Sequence, residues 1–176
     1  GGRLYMGSSN DVNLATSGPY NYREPAEYFT TLAQGFSVEV GTPSFSTLES
    51  FRAWIPEPDR WPISDAWAYH DWHQDGNGDT ASFMQALRTK FGEADSLEDF
   101  ERKAQMLNYE SHRAIFEGLN AHLWTKNSGR LLWMSHPARP SNMWQIYSHD
   151  YDTHASYYGA KKGAEPVHVQ MNLPDR

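Results

Sequence analysis

The run Gly-Phe-Ser-Val-Glu-Val at 35–40 is short, apolar and rich in β-branched side chains, and Gly41 and Pro43 stop it. It predicts a strand over 35–40 with a single charge, Glu39, one residue from its end. Upstream, 3–9 reads as the end of a strand running into a loop of turn formers, and 24–34 predicts a short helix with Pro25 in its first turn. Downstream, 46–54 has a Ser/Thr start and helical spacing of Leu48, Phe51 and Trp54. Pro56, Pro58 and Pro62 then force an irregular segment over 55–78, too aromatic for a flexible linker, which predicts a structured functional loop.

Two helices follow, one over 79–91 ended by Gly92 and a long one beginning at Ser96. Ser96 and Asp99 have the spacing of a capping box, and Leu97, Phe100, Ala104, Leu107, Ile115, Leu119 and Leu123 form an apolar stripe. Residues 128–135 read as a turn and a second buried strand, 152–163 as a short helix with a glycine stop, and 165–172 as a half-exposed strand. Strands that alternate with helices and are apolar on both faces predict parallel βα units.

Composition narrows the function classes. The 176 residues are 39% hydrophobic and 21% charged, the balance of a globular domain with a real core. A net charge of −7, with no Lys/Arg run longer than a pair, argues against nucleic acid or an anionic membrane as partner. The absence of cysteine excludes disulfides and thiolate metal sites, and no apolar stretch approaches the length that spans a bilayer. The opening residues, Gly-Gly-Arg-Leu-Tyr-Met, carry neither an initiator Met nor a signal-peptide pattern, so the chain is expected to be the middle of a longer protein. Aromatic residues reach 14%, with 7 Trp and 10 Tyr, many beside polar loop residues; amphipathic rings of this kind suit a sugar ligand.

In (β/α) barrels the reacting groups sit at the C-terminal ends of strands, which is where the pattern puts Glu39. A carboxylate there can attack a sugar anomeric carbon while a second carboxylic acid about 5 Å away protonates the leaving oxygen. Pattern alone gives more weight to a glutamate paired with an arginine at a strand edge.

Four stretches shift that balance: 35–51, which opens Gly-Phe-Ser-Val-Glu-Val-Gly-Thr-Pro-Ser-Phe; 103–122, which opens Lys-Ala-Gln-Met-Leu-Asn-Tyr-Glu; 128–151, which opens Ser-Gly-Arg-Leu-Leu-Trp-Met-Ser; and 157–172, which opens Tyr-Tyr-Gly-Ala-Lys-Lys-Gly. Together they resemble the C-terminal part of the catalytic barrel of glycoside hydrolase family 2, and most of all its β-mannosidase and exo-β-D-glucosaminidase branch. The resemblance is collinear from about residue 3 to 172. It implies an α/β fold: about the last three βα units of a (β/α)8 TIM barrel over 1–164, running into the start of a β-sandwich domain over 165–176. In that reading 3–9, 35–40 and 130–134 are the sixth, seventh and eighth barrel strands.

By the same resemblance Glu39 is the catalytic nucleophile of a retaining exo-β-glycosidase acting on oligosaccharides or glycans, and Trp133 stacks on the sugar being cleaved. The family's acid/base lies in an Asn-Glu pair, and no such dipeptide occurs here; it is expected in the remainder of a parent chain. His136 and Arg139 depart from the family pattern, replacing an amide and a second Trp. His70 and Trp72 are further candidate substrate contacts, with Asn10, Asp11 and Tyr20 as weaker ones. His70 and His73 stand at i, i+3 without a nearby third ligand, so no metal is expected and no cofactor is implied. His112, His122, Glu110 and Glu117 read as the solvated or salt-bridged face of the long helix. The rival reading is a noncatalytic carbohydrate-binding α/β domain.

Overall fold

A computed structural model describes residues 2, 3, 5, 20–32, 35–73 and 80–172. The strand expected at 3–9 and the loop residues Asn10 and Asp11 fall outside these, apart from 3 and 5. Helix α1 (Pro25–Phe29) precedes strand β1 (Gly35–Val40), which lies at the expected position. Strand β2 (Asn127–Leu132) pairs with β1 in parallel, Gly35 opposite Asn127 and Val40 opposite Leu132, with register irregularities between. Among the described residues these two strands are the whole sheet. The fold is thus α/β with a small parallel sheet and helices against it.

The long helix α5 (Leu97–Ala121) organises both cores. Ser96 caps it, its Oγ accepting from the Asp99 amide at 3.3 Å. Asp99 does not complete the expected box but turns its carboxylate to Lys103 at 2.6 Å. The apolar stripe divides. Phe100, Ala104 and Leu107 enter an aromatic core with Phe45, Phe51 and Trp67, while Ala114 and Ile115 join Tyr28, Phe29 and Val40 beneath the sheet. Burying one ring of this size stabilises by about 1.5–3 kcal/mol, so the aromatic core is the larger share of the apolar stabilisation.

Part of that core comes from the proline-rich segment. A 3-10 turn (Glu57–Asp59) and helix α3 (Asp65–Tyr69) fold it back onto α2 (Leu48–Trp54), and the Trp67 indole donates to the Asp59 carbonyl at 3.0 Å. Over 55–73 the expected structured loop is therefore structured by packing, and its remainder, 74–78, lies outside the described residues. Helix α4 (Ala81–Phe91) ends at Gly92 as expected.

Helix α6 (Ala155–Gly163) lies along α5. A Cβ on Gly159 would stand 2.4 Å from the Tyr109 carbonyl oxygen and one on Gly163 2.7 Å from that of Arg113. The glycine expected as a stop is needed for this close approach. Residues 165–172 do not form the expected strand. Their alternation is present but inverted: His168 and Gln170 bond Glu117 on α5, while Val167 and Val169 are 89% and 95% exposed. A two-residue period marks two faces, and among the described residues no strand pairs with this segment.

Candidate active site

Glu39 is half-buried at the penultimate position of β1. Val40 packs into the core beneath the sheet, so the alternation of a strand turns Glu39 to the opposite side. There the Tyr20 hydroxyl donates to Glu39 Oε2. Burial, followed by the bond to Glu39 and its charge, raises the Tyr20 pKa well above that of an ordinary phenol. Tyr20 therefore stays a protonated donor across the neutral range and fixes the orientation of the carboxylate.

Tyr20 is held in turn by Trp144, whose ring stacks on it with centroids 4.2 Å apart. Gly41 lies in the angle between them. A Cβ there would stand 2.6 Å from the Trp133 carbonyl oxygen, 3.1 Å from Trp144 Cβ and 3.2 Å from Tyr20 Cδ1. This close approach requires glycine immediately after the strand that bears Glu39.

Trp133 follows β2, and its amide donates to the Val40 carbonyl at 2.9 Å. That bond sets it one strand over from Glu39, at the same end of the parallel pair. Its side chain is part of a residue 45% exposed, open enough for a ring face to meet a ligand. The peptide bond between Trp133 and Met134 is cis.

The other two expected contacts are placed differently. His70 caps the C-terminal end of α3, and its Nδ1 donates to the Pro140 carbonyl at 2.7 Å, since a carbonyl can only accept. The His70 carbonyl accepts from the Asn142 amide at 3.0 Å, so His70 joins the end of α3 to the loop after β2. Trp72 is 2% exposed, edge-on to Phe45 and Phe83 in the aromatic core, and offers no face to a ligand in this conformation. Among the described residues no group of three or more His, Asp or Glu could hold a metal ion.

Of the two residues that depart from the family pattern, Arg139 bridges two loops and His136 stays within the one that follows β2. Arg139 reaches the Tyr69 carbonyl at 3.1 Å and Asp71 at 2.8 Å, with its cation 5.8 Å from the Tyr69 ring centre. His136 stacks on Tyr151 at 4.2 Å. Sequence reasoning passed over Trp144 altogether. It is separated from Tyr20 by more than a hundred residues, and only the fold brings the rings together.

No protein-family model matches the chain. It is 32% identical, over 98% of its length, to a mannosylglycoprotein endo-β-mannosidase of Lilium longiflorum, and 31% identical, over 93%, to an exo-β-D-glucosaminidase of Amycolatopsis orientalis. The crystal structure of an Amycolatopsis orientalis exo-chitosanase matches 88% of the chain with a TM-score of 0.73 and 28% identity. The chain spans about a fifth of each of these proteins, 19%, 17% and 20% respectively.

Proposed function

From a chain homologous along nearly its whole length to a segment of the β-mannosidase and exo-β-D-glucosaminidase group, we propose that these residues carry the nucleophile half of a retaining exo-β-glycosidase. Residues 1–164 are then the C-terminal part of a (β/α)8 barrel, and 165–176 lead into a following β-sandwich domain. The substrate is a β-mannoside or β-glucosaminide at the end of an oligosaccharide or glycan. One observation carries the reading: Glu39 stands at the C-terminal end of a parallel strand, held by a phenol that remains protonated, one strand from a half-exposed Trp.

In the first step a Glu39 carboxylate oxygen forms a bond to the anomeric carbon as the bond from that carbon to the leaving oxygen breaks. The leaving oxygen takes a proton from a carboxylic acid supplied by other residues of a longer polypeptide. In the second step water attacks the anomeric carbon, gives up a proton to the same group, and frees Glu39. Tyr20 keeps Glu39 aimed through both steps, and Trp133 offers its ring to the apolar face of the pyranose.

The exposed rings of Tyr69 and Tyr151 favour a second reading, a noncatalytic sugar-binding surface, in which Glu39 is dispensable. Labelling of the full-length polypeptide with a 2-fluoro glycoside, followed by peptide mapping, separates the two. A covalent sugar on the peptide that contains Glu39 is the expected result. Turnover without such a label, or a label on another peptide, would overturn the assignment.

A further inference from the structure

The segment that follows Glu39 is buried without being a strand or a helix. All of residues 41–46 are buried, in a loop that would ordinarily run over the surface. A buried backbone polar group left unpaired costs about 1–3 kcal/mol, so the loop's polar groups have to be met from inside the protein.

The Met143 and Gln145 carbonyls accept from Ser44, and three amide side chains meet groups on either side of it. Asn108, fully buried on α5, donates through Nδ2 to the Pro43 carbonyl at 2.6 Å and accepts through Oδ1 from the Phe45 amide at 3.0 Å. Gln105, one turn before it, donates to the carbonyls of Phe45 and Ser46 at 3.0 and 3.1 Å. Asn142 accepts from the Ser46 amide at 2.9 Å. Asn108 alone both gives and receives, on the residues nearest Glu39, much as a neighbouring strand would.

We infer that Asn108 is a positioning residue for the reaction: it clamps Pro43 and Phe45 so that Gly41 stays wedged against Trp133 and Trp144 and Glu39 stays aimed. The inference rests on the glycosidase reading of Glu39. Misplacement of a reacting group by about 1 Å can cost about a hundredfold in rate. Slack four to six residues from Glu39, transmitted through Gly41, is displacement of that kind.

The test uses the full-length polypeptide as wild type, Asn108→Ala, Asn108→Ser and a control, Leu87→Ala, in the aromatic core. Turnover is measured on p-nitrophenyl β-D-glucosaminide and β-D-mannoside, and amide hydrogen exchange is followed in peptides covering 35–47. Asn108→Ala is expected to lower kcat about 10- to 100-fold with KM within about threefold, and to speed exchange across 41–47. Asn108→Ser, which keeps one short hydroxyl donor, is expected to fall between and stands in should the alanine variant fail to fold. Leu87→Ala is expected to lose stability but hold kcat within about twofold below its melting transition.

Unchanged kcat in a folded Asn108 variant overturns the proposal, as does unchanged exchange, or an equal loss of kcat in the control. An inactive wild type sinks the glycosidase reading instead, and exchange alone then decides whether Asn108 is the clamp.

Discussion

Two groups of aromatic residues sit within one chain and do opposite things. In the first, Phe45, Phe51, Trp67, Trp72 and Phe100 meet at centroid distances of 4.7–6.0 Å and exclude water. In the second, Tyr20 and Trp144 stack beside a carboxylate, while Trp133 stays half-exposed at the end of β2. The sequence around Trp67 and Trp72, with its His and Asp neighbours, looks the more like a ligand loop. What separates the groups is the partner each ring finds. The first set is packed on other rings in the core, and the second lies around the carboxylate of Glu39 at the ends of β1 and β2.

The largest effect should come from the charge itself. Glu39→Gln in the full-length polypeptide is expected to lower turnover by at least about 10⁴-fold, with the melting temperature little changed. A steady-state assay beside a thermal melt checks this, and near-normal hydrolysis would erase the distinction between the two groups.

Exchanging the tryptophans sharpens it next. Trp72→Ala should destabilise by about 3–5 kcal/mol, because it empties a filled core. Trp133→Ala should cost less than about 1 kcal/mol of stability and raise KM or lower kcat instead. Denaturant titrations of both variants decide. A stability loss at Trp133 as large as that at Trp72 would assign both rings to packing.

Proton concentration acts on the frame that supports both regions. The helix that bears Asn108 also carries the fully buried His112, whose Nδ1 donates to the Asn108 carbonyl at 2.9 Å, and His154 lies buried before α6. Burial lowers the His112 pKa to about 4, and burial with the nearby His112 lowers that of His154 to about 3, against 6.5 for the free side chain. Between those values the unfolded chain binds the protons first, so the stability contributed by the neutral rings is complete above pH 6.5. It is lost as pH falls toward 4 and 3, by at most about 1.4 kcal/mol per pH unit for each histidine. Denaturant midpoints at pH 7, 6 and 5 should fall accordingly, and His154→Asn should flatten the slope. An unchanged slope in that variant would remove the histidine from the account.

The smallest expected change is at Tyr20→Phe, which keeps the stack on Trp144 and removes the donor to Glu39. Turnover should fall about tenfold while stability changes by about 0.5–1.5 kcal/mol. Full activity would mean that another contact of Glu39 holds the carboxylate.

Strand β1, the Ser96 cap, the end of α4 at Gly92 and the parallel relation of β1 to β2 were all legible, because each rests on residues close in sequence or on a periodic pattern. So was the position of Glu39 at a strand end. The Tyr20–Trp144 stack was not, since nothing local marks two rings that meet only when the chain closes. The burial of Trp72 was hidden for the same reason: polar neighbours in sequence say nothing about neighbours in space. At 165–172 the period was right and the facing inverted, because alternation shows that two faces differ and not which of them is covered. The amides of Asn108, Gln105 and Asn142 left no sequence signal, since a buried loop needs donors and acceptors at places that only its path defines.

Parallel pairing of β1 with β2 also sets the order in which the chain can assemble. Gly35 must meet Asn127, and closing so long a loop carries an entropic cost of about 4 kcal/mol before any ladder bond rewards it. Helix α5 forms from neighbouring residues alone and shortens the remaining search by holding its own ends apart at a set distance, about 37 Å for 25 residues. The bond from the Trp133 amide to the Val40 carbonyl can form only after that search succeeds. The geometry around Glu39 therefore depends on a contact made across most of the sequence, whereas the turns of α5 depend on contacts four residues apart.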